Sequence, residues 1–79
     1  MLKIHSIKVT VVNVETEDVL SYYINPKMHI RDVKRELRRK GILTKGMCMF
    51  YNDIELLDKQ QVKEIGIKDG SELELRPKE

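Results

Sequence analysis

His29–Ile42 reads HIRDVKRELRRKGI, and it is the one segment of the chain with a clear helical period. Ile30, Val33 and Leu37 stand at i, i+3 and i+7, a single apolar stripe on a helical turn of about 3.6 residues. Gly41 follows the last periodic turn and offers the left-handed stop that ends a helix. No Ser or Thr stands at the expected start, so His29 takes the cap position. Asp32, three residues on, can bond back to the cap amide and complements the positive helix end. Three apolar side chains on one short helix cannot hold a fold alone. They need a surface to lie on, and the rest of the chain reads mainly as strand.

Toward the N-terminus, Asn25-Pro26 breaks any sheet, because proline donates nothing to a ladder. Before it, Val19–Ile24 alternates, and periodicity alone allows either face to be inward. Asn13–Asp18 is a polar hairpin connection. Ile7–Val12 is a β-branched strand with Ile7, Val9 and Val11 on one face and Lys8, Thr10 and Val12 on the other. Residues 1–6 form a short N-terminal extension whose Leu2 and Ile4 could lengthen this strand.

Toward the C-terminus, Met47–Tyr51 (MCMFY) is an apolar strand, Asn52-Asp53 a turn, and Ile54–Leu57 a second brief strand. Asp58–Glu64 reads as one loose turn around Val62, and Ser71–Arg76 as a final strand with Leu73 and Leu75 inward, ended by Pro77. A single helix and a mixed sheet must share one core, so the helix crosses one face of the sheet. The intervening helix also lets the first and last strands pair in parallel.

Seventy-nine residues make one domain, residues 1–79, with one small core. A net charge of +2 with 35% charged residues lacks the strong basic excess of a nucleic-acid binder. One cysteine excludes an internal disulfide and fits a reducing compartment, so cytoplasm or nucleus is the expected location. No apolar run is long enough to span a membrane as a helix.

From Ile7 to Arg76 the chain resembles ubiquitin and the ubiquitin-like domains. The stretch N-P-x-M-x-I-R-D-V-K, residues 25–34, is similar to the family's E-P-x-D-x-I-x-N-V-K. Gly41-Ile42, Met49-Phe50-Tyr51, and Leu73-Glu74-Leu75 follow at the family's spacing, and Leu56, Val62 and Ile67 match its later core positions. One residue is missing before Gly41. The resemblance implies an α+β β-grasp fold, a mixed sheet of four to five strands with one helix across one face, and a core over residues 7–76. It also implies that Leu20, Tyr22 and Ile24 point inward and that Lys34 is half-buried.

The resemblance carries a binding face as well. In the family the open side of the sheet presents an apolar cluster to partners. Phe50 falls at its centre here, with Val12 and Val14 beside it and Cys48 on the same strand. Glu74 stands where ubiquitin has a histidine, and Arg76 where it has a valine. A partner with an acidic group facing Arg76 is therefore expected. Conjugated relatives end in Gly-Gly, whereas these residues end Arg76-Pro77-Lys78-Glu79, so a non-conjugated, monomeric interaction module is expected. Its partners would be proteins, with receptors of the ubiquitin–proteasome system as one class.

Met47, Cys48 and Met49 suggest soft-metal binding, but alternate side chains of a strand point to opposite faces, so the three sulfurs cannot converge. No metal and no cofactor is expected. Catalysis by Cys48 would need a nearby base, and neither His5 nor His29 matches a family position near it, so no enzymatic role is expected. Arg31, Arg35, Arg38 and Arg39 crowd the helix with Lys34 and Lys40, against Asp32 and Glu36. That pattern fits a solvated face with internal ion pairs, or a secondary basic surface. The alternative function is a nucleic-acid or ribonucleoprotein accessory domain. Tyr22, Tyr23, Phe50 and Tyr51 all lie on strands rather than on that face, which favours a protein over RNA.

Overall fold

The computed structural model describes residues 6–42 and 45–78. The leading segment Met1–His5 lies outside them. Seven elements follow in order: β1 (Ile7–Asn13), β2 (Val19–Ile24), α1 (Ile30–Arg39), β3 (Met47–Tyr51), β4 (Ile54–Glu55), α2 (Val62–Ile65) and β5 (Glu72–Pro77). The sheet has five strands in the order β2-β1-β5-β3-β4. β1 and β5 pair in parallel and the other neighbours are antiparallel. The architecture is the α+β arrangement expected, one principal helix packed across a mixed sheet.

Alternation decides the two faces. Val9 and Val11 from β1, Met47 and Met49 from β3, and Leu73 and Leu75 from β5 are buried. Ile30, Val33 and Leu37 from α1 share the same core. Burying a side chain of this size stabilises by roughly 1.5–3 kcal/mol. Leu20 and Tyr22 pack against this core and Ile24 is buried within it, so β2 faces inward as the resemblance implied. Lys34 is tucked against the fold, its side chain 18% exposed and its Nζ 2.7 Å from Asp58 Oδ1.

The ends of α1 are closed by backbone chemistry. The His29 N–H donates to the Asp32 carboxylate at 3.2 Å. At the other end Gly41 takes φ +88°. Its N–H donates to the Arg38 carbonyl at 3.1 Å, and the Ile42 N–H to the Leu37 carbonyl at 2.9 Å. These two bonds satisfy carbonyls that the helix leaves unpaired, and Ile42 folds back on the core as the paired hydrophobic contact.

Four boundaries differ from the sequence reading, the first being β5, which starts at Glu72 and takes in Pro77, paired with Met47, instead of ending before it. The segment taken as a loose turn contains α2, a four-residue helix. So short a helix shows no period, but Gln61-x-x-Glu64 is a capping pattern, and the Gln61 N–H does donate to Glu64 Oε1 at 3.0 Å. The Val62 N–H donates to the Met28 carbonyl and the Lys63 N–H to the Pro26 carbonyl, both at 2.9 Å. These bonds lock α2 to the start of α1. β1 also runs one residue further, to Asn13, which is buried. Its side-chain oxygen accepts the N–H groups of Glu15 and Thr16 at 2.9 and 3.2 Å, which explains a polar residue there. Finally, β4 stops at Glu55 because the Leu57 N–H turns to the Gln60 side chain at 2.7 Å.

Candidate functional site

The open side of the sheet carries the residues singled out from the sequence. Strand register puts Val12 beside Glu74, and Glu74 beside Phe50. One step along, Cys48 lies beside Arg76. Val14 has left β1, but its N–H donates to the Leu75 carbonyl at 3.0 Å, which keeps it next to Arg76. Val14, Cys48, Phe50 and Arg76 line one shallow groove of about 630 Å³. Val12 and Glu74 belong to the same face without lining that groove.

The groove has an internal organisation. The Arg76 guanidinium lies over the Phe50 ring, 4.4 Å from its centroid. Its Nη2 also contacts Asp53 Oδ1 at 2.6 Å and Glu74 Oε1 at 2.5 Å. The hydrogen bond to Asp53, then that to Glu74, raises the already high pKa of Arg76, so the group is held charged. Phe50 is consequently half-buried rather than a bare aromatic knob.

This arrangement corrects one expectation. Arg76 is not a free cation awaiting an acidic partner, because two carboxylates of its own chain already neutralise it. An added acidic group would meet the surplus negative charge of that trio.

Asp53 is the neighbour of Arg76 that sequence reasoning missed. In the sequence it is a turn residue, and the turn is what places it. Asn52 and Asp53 take φ +51° and +65°, the left-handed pair of a two-residue hairpin loop whose twist matches its strands. That turn lifts Asp53 beside β5. Glu55, Pro77 and Lys78 are the other unanticipated groove residues. Glu55 was legible in principle, since hairpin register sets it opposite Phe50.

Cys48 is half-buried on this face while Met47 and Met49 point into the core. Desolvation first, then the charge and hydrogen bond of Glu55, push its thiol pKa up, with Lys34 and Lys78 opposing. A thiol held protonated is a poor nucleophile and a poor metal ligand. Among the described residues no three His, Cys, Asp or Glu side chains group as a metal site.

The basic helix carries the internal ion pairs expected from its sequence. Arg35 lies 3.6 Å from Asp32, Arg39 lies 3.5 Å from Glu36, and Lys34 is held by Asp58. The Lys40 ammonium sits 5.4 Å from the centroid of the Tyr22 ring. Arg31 and Arg38 remain exposed with no carboxylate partner among the described residues. Two separated guanidinium groups make a weak electrostatic footprint for nucleic acid.

The sequence profile of the Ubiquitin family matches residues 7–78. Among solved structures, ubiquitin from Caldiarchaeum subterraneum is 18% identical over 94% of this chain and 95% of that one, with a TM-score of 0.79. The ubiquitin-like domain of an Arabidopsis thaliana protein is 22% identical, covering 100% of this chain and 84% of that one, with a TM-score of 0.84. A designed protein based on ubiquitin is similar at 22% identity, over 91% of this chain and 88% of that one, with a TM-score of 0.79. At these identities the structural likeness speaks for the backbone alone. No curated protein sequence matches the chain significantly.

Proposed function

The chain belongs to the ubiquitin family, and from that premise we propose that it is an interaction module that binds partner proteins through the open sheet face around Phe50. One observation carries the reading: Val14, Cys48, Phe50 and Arg76, drawn from two strands and a loop, line one groove on the face the helix leaves uncovered. A half-buried aromatic ringed by charged groups is the arrangement of a binding anchor. The family supports proteins as the partner class, with receptors of the ubiquitin–proteasome system in cytoplasm or nucleus as the specific candidates.

The test is affinity capture from cell extract with the wild-type chain, Phe50→Ala and Arg38→Glu in parallel. Partners should be retained by wild type and by Arg38→Glu and lost by Phe50→Ala, with an unchanged amide spectrum showing that the last variant is folded. Partners that Phe50→Ala retains and Arg38→Glu loses would move the site to the helix.

A further inference from the structure

Resting on that reading, we propose that the partner segment is basic and amphipathic, seating one apolar side chain on Phe50 and Val14 and directing a Lys or Arg toward Asp53 and Glu55. The argument is the charge left over once the internal pairs are counted. Arg76 is matched by two carboxylates, Asp53 and Glu74. Glu55 adds a further negative charge on the groove wall, opposite Phe50. Lys78 is the remaining cation that lines the groove, and its N–H donates to the Gly46 carbonyl at the far end of β3. The groove is therefore polarised along its length, acidic at the β3–β4 turn and basic at Lys78.

The acidic end is also the accessible one. The Asp53 side chain is 85% exposed, and its Oδ1 is engaged with Arg76, while Oδ2 has no hydrogen-bond partner among the described residues. Glu55 is exposed as well. A cation arriving there would complement both carboxylates without breaking the Asp53–Arg76–Glu74 contact. The stack on Phe50 would stay in place as a polar lid on one side of the apolar anchor. A carboxylate arriving at the same end would be repelled by both groups, and that repulsion is as much a part of specificity as the attraction. On the wider face, Glu72 adds another outward carboxylate in the β5 row, and Lys8 stands at the opposite end of β1.

A random 16-residue peptide library displayed on phage, panned on the wild-type chain with Phe50→Ala as counter-selection, tests this. Enriched peptides should combine a large apolar residue with Lys or Arg and be poor in Asp and Glu. Their affinity should fall about 3- to 10-fold on Glu55→Lys, weaken with added salt, and be unaffected by Arg38→Glu. Glu55 is exposed on a two-residue strand, so its reversal leaves the fold intact. Enrichment of acidic peptides that bind Glu55→Lys more tightly would overturn the basic partner while leaving the sheet face as the binding site. Failure to enrich any peptide that distinguishes wild type from folded Phe50→Ala would overturn both.

Discussion

The guanidinium of Arg76 rests on the ring of Phe50, 4.4 Å from its centroid, and Asp53 and Glu74 hold it there from two sides. The contact joins two adjacent strands through side chains on the solvent face. It turns an aromatic that would otherwise project into water into a partly covered anchor. Because both carboxylates act on one guanidinium nitrogen, the four residues should behave as a coupled unit. In a double-variant cycle, Phe50→Leu and Arg76→Met should together destabilise less than the sum of the two alone, as read in urea melts. Strict additivity would mean the stack contributes nothing in solution.

The core prediction concerns Leu37, which is fully buried beneath α1. Leu37→Ala should cost about 2–5 kcal/mol, a large share of the stability of so small a domain. The midpoint of a denaturant melt should shift accordingly. A loss below about 0.5 kcal/mol would contradict the docking of the helix on Val9, Leu73 and Leu75.

Tyr22 gives an alkaline signature. Burial first, and the nearby charge of Glu36 second, raise its phenol pKa well above the ordinary tyrosine range. The native state therefore keeps a proton that the unfolded chain loses above about pH 10. Folding stability should fall as pH climbs through that range, since the native state then binds more protons than the unfolded one. Ultraviolet titration should show the Tyr22 phenol ionising late or only on unfolding. Tyr22→Phe should flatten the alkaline decline.

Cys48 offers a direct test of its surroundings. Its thiol is held protonated by desolvation, with Glu55 reinforcing the effect. Alkylation by iodoacetamide near pH 8 should be slower than for an unstructured peptide cysteine, because only the thiolate reacts. Glu55→Gln should lower the pKa and speed the reaction. Intact-mass kinetics across a pH series would read both changes, and an unaltered rate in Glu55→Gln would remove Glu55 from the Cys48 environment.

Reversal of Arg35, Arg38 and Arg39 to Glu should leave the fold intact and change stability by no more than about 1–2 kcal/mol, since all three are exposed and the ion pairs of Arg35 and Arg39 are surface pairs. Partner binding through the sheet face should survive the triple change. Its loss, with the amide spectrum of the sheet unaltered, would assign the function to the helix.

The sequence by itself determined the fold, because that information is local and periodic. The stripe Ile30–Val33–Leu37, the alternation of β1 and β5, Pro26 and Gly41 each follow from the geometry of one segment, and together they admit few arrangements. The shared face was legible as well, since strand alternation puts Cys48 and Phe50 on one side of β3 and Glu74 and Arg76 on one side of β5, while the choice of Phe50 as its centre came from the resemblance to the family. What the tertiary structure alone decided was the electrostatics of that face. Asp53 and Arg76 are 23 positions apart, and no period links a turn residue to a terminal strand. Their meeting depends on the left-handed pair Asn52-Asp53, on the β3–β5 register and on the rotamer of a long side chain. Charge at a site is set by which groups converge in space, so the sequence presented Arg76 as a cation awaiting a partner where the fold had already supplied two.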